Sequence, residues 1–177
     1  MRSEAPIRIV MLGDSITHGG NWRDLLDRND IINAGMSGWT SGMIFRLIDD
    51  YVGANKPKLC FYMAGINDYS MGIATERIER NHKMVLDAIH ACGTMPVYQT
   101  LLYQSGNDFV NREIDRLNSN MEKYCSTQGY EFLDLRPYLC INGDLRKEFT
   151  YDGTHLMEEA YIPWAEALLP IIKKFGL

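Results

Sequence analysis

A parallel β-sheet held between two layers of helices, a three-layer α/β sandwich, is the fold this sequence predicts. Three observations predict it. Short β-rich apolar runs alternate with longer stretches of helical periodicity. The apolar runs are near-continuous rather than alternating, as in strands covered on both faces. Polar, glycine-bearing segments follow several of the runs, where open α/β sheets bind ligands.

The first expected strand is Ile7 to Leu12 and the second a short Ile31-Ile32. Lys58 to Ala64 is the third, after Pro57; Pro96 to Leu101 is the fourth and Tyr130 to Leu133 the fifth. Between them, Trp39 to Val52 sets Met43, Ile44, Leu47, Ile48 and Tyr51 on one face, with Thr40 or Ser41 as its cap. Thr75 to Cys92 carries the stripe Ile78, His82, Val85, Leu86 and Ile89. Asn107 to Thr127 carries Val110, Ile114, Leu117, Met121 and Cys125, and Gly129 supplies its stop. The last helix bears Tyr161, Trp164, Leu168, Leu169 and Ile172, with Pro163 and Pro170 expected to start or kink it. Alternating strands and helices imply right-handed crossovers and a parallel sheet.

At 177 residues the expectation is one domain, residues 1–177, with room for a sizeable core. Hydrophobic residues are 46% and charged residues 23%, as in ordinary globular chains, and the net charge of -5 offers no basic footprint for nucleic acid. No apolar run is long enough for a membrane span. The start, Met1 to Pro6, lacks the apolar stretch of a signal peptide, so a cytoplasmic location is the simple reading, with a trimmed, secreted mature form as the alternative. Cys60, Cys92, Cys125 and Cys140 form no C-x-x-C pair; they read as free, mostly buried thiols rather than a metal or redox motif. Oligomeric state is not legible.

The polar residues that follow strands carry the chemistry. Ser15 follows the first; Asn33, Gly35, Ser37 and Gly38 follow the second; Gly65, Asn67 and Asp68 follow the third. Asp152 and His155 lie in the loop before the last helix. A serine, amide donors, an Asp and a His at one sheet edge are the parts for acyl transfer. Each part has a plainer reading. A lone Ser after a strand is more often a helix cap. Ser37, also flanked by glycine, rivals Ser15, and neither fits the G-x-S-x-G elbow of α/β-hydrolases. The spacing of Asp152-Gly153-Thr154-His155 lets the carboxylate reach the imidazole of its own turn and fix the tautomer; the alternatives are an Asx-type turn or a metal pair lacking further ligands. Gly65-Ile66-Asn67-Asp68 suits an uncharged oxyanion donor or an ordinary turn. His82 reads as a core histidine, His90 as a surface one, and His18 as a loop residue near Ser15. Residues 13–20 have neither the Lys nor the glycine spacing of a phosphate loop.

Taken in order, Gly13-Asp14-Ser15-Ile16-Thr17, Gly38, Gly65-Ile66-Asn67-Asp68 and Asp152-Gly153-Thr154-His155-Leu156 resemble the blocks of the SGNH hydrolases, the GDSL family of esterases and lipases. The four blocks span nearly the whole chain. The resemblance implies a flavodoxin-like sheet in the order 2-1-3-4-5. It implies Ser15 as nucleophile, His155 as general base and then acid, and Asp152 as its orienter. It implies an oxyanion hole from the N–H groups of Ser15 and Gly38 and the Asn67 amide. Asp14 is expected to hold the loop, with Trp39, Tyr69 and Tyr151 facing the substrate. No metal or cofactor is implied. Departures are mild: Ile16 stands for the leucine of the family's name, and Met157 and Ala160 for an Asn and a Gly. The expected activity is hydrolysis of a small acyl ester, favoured as acetyl on a carbohydrate. A lysophospholipase or thioesterase for longer chains is the alternative, with a non-catalytic carbohydrate-binding module behind it.

Overall fold

A computed structural model describes residues 6–177. Residues 1–5, which bear on the leader reading, lie outside it. Five strands, β1 (Ile9–Gly13), β2 (Ile31–Gly35), β3 (Leu59–Met63), β4 (Met95–Gln99) and β5 (Glu131–Leu133), form one parallel sheet in the order β2-β1-β3-β4-β5. The order agrees with the expectation. Each strand lies within a residue or two of its predicted place, except that β2 runs on to Gly35, where it pairs with Gly13.

β1 and β3 are wholly buried, which is why their sequences are unbroken apolar runs. On one face pack α3 (Ser41–Ile44), α5 (Thr75–Ala91) and α6 (Asp108–Gln128). Tyr62 and Tyr98, neighbours across β3 and β4, meet His82 of α5 there. On the other face α8 (Tyr161–Lys174) brings Trp164, whose Nε1–H donates to Gln99 Oε1 at 2.7 Å. Trp164 packs edge-on against Trp22 of α2 (Trp22–Leu25), ring centroids 4.9 Å apart. Cys60, Cys125 and Cys140 are buried and Cys92 half-buried, and all four thiols are free.

The helices expected at Thr75 and Asn107 start and end close to prediction. Asn107 caps α6 by accepting the Val110 N–H, and Gly129 closes it at φ +73°. The helix expected over Trp39 to Val52 is instead three pieces: α3, a tighter turn at Phe45–Leu47 and a wider one at Ile48–Gly53. The uneven winding keeps Ile44, Leu47, Ile48 and Val52 all inward while Ser41 is pinned at the start. α8 is a single helix. Pro163 lies in its first turn, where a missing N–H costs nothing, and Pro170 is carried inside. Short elements escape the periodicity, among them α1 (Ser15–His18), α2, α4 (Ile66–Ser70), α7 (Arg136–Leu139) and the hairpin of β6 (Cys140–Ile141) and β7 (Asp144–Leu145). The hairpin's turn is Asn142-Gly143, which take φ +52° and +78° as a two-residue turn demands.

β1 turns into α1 within two residues, and Gly13 makes this possible. A Cβ there would sit 2.2 Å from Thr17 Oγ1 and 2.3 Å from the Met63 carbonyl. Overpacking of this kind costs about 1–3 kcal/mol. Gly13→Ala is therefore expected to lower the urea midpoint of unfolding by a corresponding amount; an unchanged midpoint counts against the close packing.

Candidate active site

The site is built at the carboxyl edge of the sheet. The capping role, the plainer reading of Ser15, falls to Asp14, whose Oδ1 accepts the Ile16 N–H at 3.0 Å. Ser15 is the first residue of α1, part-exposed, with its hydroxyl free for other work. Its Oγ lies 2.9 Å from His155 Nε2. His155 Nδ1 lies 2.7 Å from Asp152 Oδ2. The three side chains thus form one hydrogen-bonded line, although Ser15 and His155 are 140 residues apart.

The His155 turn is held from several sides. Asp152 Oδ1 accepts the N–H groups of Thr154 and His155 at 2.9 and 2.7 Å. Thr150 Oγ1 donates to the His155 carbonyl and accepts the Gly153 N–H. Gly153, at φ +85°, lies against Ser105, whose N–H donates to its carbonyl. Gln104 Nε2 donates to Thr154 Oγ1. So the Asx-type turn and the Asp–His pair, separate readings in the sequence, are both present, one carboxyl oxygen serving each. Desolvation pushes the Asp152 carboxyl up, but the hydrogen bonds from His155 outweigh it and hold it below its ordinary range. Asp152 is therefore an ionised acceptor, which places the proton on His155 Nδ1 and leaves Nε2 to accept from Ser15.

The amide donors sit beside this line. The Met36 N–H donates to the Gly13 carbonyl at 2.9 Å, bringing the end of β2 to the serine turn. Gly38 follows, exposed, at φ +78°, with open space around it. Asn67, in the first turn of α4, donates from Nδ2 to the Trp39 carbonyl at 2.9 Å. That bond uses one of its two amide hydrogens and orients the other. Asp68, the next residue, is buried and accepts the N–H and hydroxyl of Ser41.

The aromatic residues divide. Tyr151 is 68% exposed and its ring lies nearly parallel to His155, at 12° with centroids 6.0 Å apart. Trp39 is half-buried against the core and offers its carbonyl to Asn67. Tyr69 is 3.3 Å from Thr75 through its hydroxyl, and its ring lines a cleft with Ile73, Phe109 and Val110. His18 Nδ1 is 3.0 Å from the Gly35 carbonyl. His82 is buried, and desolvation drives its pKa down to about 3, so it is neutral in the core. Sequence reasoning missed Ser41, Asn81, Thr150, Gln104 and Ser105. Only the neighbourhood of Asp68 to Asn67 carried any signal of them.

Residues 11–161 match the sequence model of the GDSL-like lipase/acylhydrolase family. The chain belongs to that family. Among curated proteins it is similar to N-acylneuraminate cytidylyltransferase of Streptococcus agalactiae serotype III, 24% identical over 152 residues. The match covers 85% of this chain and 35% of that protein, so the chain spans about a third of the curated relatives it matches. Among solved structures it resembles a GDSL-like lipase from Bacteroides thetaiotaomicron, with a TM-score of 0.84, 22% identity, and coverage of 94% of this chain and 88% of that one. It also resembles the acetyl xylan esterase AlAXEase, with a TM-score of 0.80, 18% identity, and coverage of 94% and 100%. These are likenesses of fold. Among the described residues no helix is long and apolar enough to cross a membrane.

One titration tests the packing around the serine of this GDSL-family protein. Burial pushes the Asp14 carboxyl up to about 7, with the charge of Asp68 adding to it, against the Ile16 N–H and His155. A carboxyl raised on folding contributes stability below its ordinary value of 3.8, lost as pH rises through about 7. Asp14→Asn keeps an acceptor for the Ile16 N–H and cannot ionise. The variant's Tm is expected to gain on the native Tm as pH rises from about 4 to about 8; a constant gap counts against a buried, raised carboxyl.

Proposed function

We propose that the protein is a serine esterase that removes a small acyl group, acetyl in the favoured reading, from a carbohydrate ester through a covalent acyl-enzyme. The observation that carries this is the continuous line Asp152–His155–Ser15, at 2.7 and 2.9 Å. In this reading Ser15 Oγ attacks the ester carbonyl as its proton passes to His155 Nε2. The imidazolium formed is stabilised by Asp152, which stays ionised. The tetrahedral oxyanion is met by the N–H groups of Ser15 and Gly38 and by the free amide hydrogen of Asn67. His155 returns the proton to the leaving alcohol. Water then attacks the acyl-enzyme with His155 again as base, and the acid leaves with Ser15 restored.

A cleft of about 480 Å³ lies at the far end of the serine turn, lined by none of Ser15, Gly38, Asn67 or His155. It is lined by Gly19, at the end of the helix Ser15 begins, and by Leu156, next to His155, together with Asn21, Asp24, Glu158 and Tyr161. Carboxylate and amide groups beside apolar ones suit the hydroxyls and faces of a sugar. The likeness to an acetyl xylan esterase supports the same class. The longer-chain reading draws on the cleft of about 360 Å³ whose apolar side is Tyr69, Ile73, Phe109 and Val110, with Glu76, Glu113 and Arg116 at its polar side.

A serine-directed phosphonate is expected to add its mass at Ser15, and Ser15→Ala is expected to abolish turnover of p-nitrophenyl acetate. Full activity in that variant rejects the assignment. Asn67→Ala should stay folded and lose about 10²–10³ in kcat, the usual cost of one oxyanion donor. Rates on p-nitrophenyl esters from acetate to laurate separate the acyl classes. A maximum at acetate fits the favoured reading, and one at long chains replaces it.

A further inference from the structure

We propose that Asp68 is a positioning residue whose buried carboxylate holds the two halves of the oxyanion hole, the Gly38 segment and Asn67, at a fixed separation. The proposal rests on the reading that Gly38 N–H and the Asn67 amide receive the oxyanion.

The two donors come from different connections of the fold. Gly38 lies between β2 and α3, and Asn67 lies in α4 after β3. Gly38 is exposed, and apart from its chain neighbours no heavy atom comes within 4 Å of where its Cβ would be. Its place is therefore set by the bonds on either side. Upstream, the Met36 N–H donates to the Gly13 carbonyl at 2.9 Å. Downstream, Ser41 donates twice to Asp68, from its N–H to Oδ2 at 2.7 Å and from its hydroxyl to Oδ1 at 2.6 Å. Both carboxyl oxygens are thus taken by one residue three places after Gly38. Asn81 of α5 donates to Ser41 Oγ at 2.9 Å and so turns the hydroxyl hydrogen toward Asp68. Asn67, adjoining Asp68, makes the second tie through the Trp39 carbonyl.

Asp68 has no exposed surface. Burying a carboxyl is costly unless it is paired or hydrogen-bonded, and burial does push its pKa up while the two Ser41 bonds pull it down. An ordinary turn after a strand does not need this. Charge-assisted bonds are short and directional, which suits a hole whose donors must hold their places within tenths of an ångström.

The direct test is Asp68→Asn, which keeps the shape and turns one acceptor into a donor facing a donor. With p-nitrophenyl acetate, kcat is expected to fall by about 10-fold to 10²-fold, the scale of a small misplacement, with KM little changed. The substitution also removes a negative charge from beside a developing oxyanion. Loss of that field alone would raise kcat, so a fall reports position. In an Asn67→Ala background the same substitution is expected to cost far less, because residues acting as one unit are non-additive. Ser41→Ala keeps the N–H bond and removes the hydroxyl one; it should show a smaller fall in kcat with the same non-additivity, and it carries the test alone if Asp68→Asn does not fold. An unchanged kcat, a loss confined to KM, or the full factor repeated in the Asn67→Ala background overturns the proposal. Phosphonate labelling of the native protein separates the two failures. Labelling at Ser15 with no effect of the Asp68 and Ser41 variants sinks this proposal only; absence of labelling at Ser15 sinks the parent reading and this one with it.

Discussion

The whole edge depends on the reversal of the chain at Gly13. β1 must end and α1 must begin within two residues, so that Ser15 stands at the sheet's rim with its side chain outward. That reversal brings Thr17 and the Met63 carbonyl onto the place a Cβ would fill, and only a hydrogen fits. Gly35 opposite is equally confined, with the His18 amide nitrogen 2.3 Å from its would-be Cβ. Two glycines paired across β1 and β2 let three backbone segments approach closely enough for the Met36 N–H to reach the Gly13 carbonyl. Widening this junction by one methyl group would move the serine turn away from the donors beside it.

The same crowding explains why polar groups are buried beneath the site. Asp14 and Asp68 have almost no exposed surface, and each is raised by desolvation. Neither packs like a core residue. Asp14 satisfies the Ile16 N–H, the second of the short helix Ser15 begins, which releases the serine hydroxyl from capping. Asp68 satisfies the first N–H of α3 and the Ser41 hydroxyl. In each case a carboxyl replaces the water that a surface turn would use. The arrangement trades some stability for a rim that does not rearrange when charge develops on it.

Much of the fold was legible because its signals are local. Continuous apolar runs mark strands covered on both faces. The 3.6-residue stripes of α5 and α6, with Asn107 and Gly129 at the ends of α6, mark helices that fold by burying one side. The errors have physical causes too. Helices of four or five residues, such as α1 and α4, are too short to show a period. The segment from Trp39 was read as one helix because its apolar spacing averages to a helical one, whereas burial of four neighbouring side chains winds it unevenly. The plainer reading of Ser15 as a cap could not be set aside locally, since Asp14 and Ser15 are both good caps and only the backbone decides between them.

For the site, the sequence by itself determined which residues have the chemistry to act: Ser15, Asn67, Asp152 and His155, with glycines where the chain must turn sharply. It also made the close Asp152–His155 contact possible, because a three-residue spacing on a tight turn lets the carboxylate reach the imidazole, and the structure makes that contact at 2.7 Å. Only the tertiary structure decided that His155 meets Ser15 rather than Ser37, that Asn67 spends one hydrogen on Trp39, and that Asp68 reaches back to Ser41. Those contacts join segments up to 140 residues apart. Their distances depend on strand order and on packing beneath the rim, and no local pattern of residues encodes either.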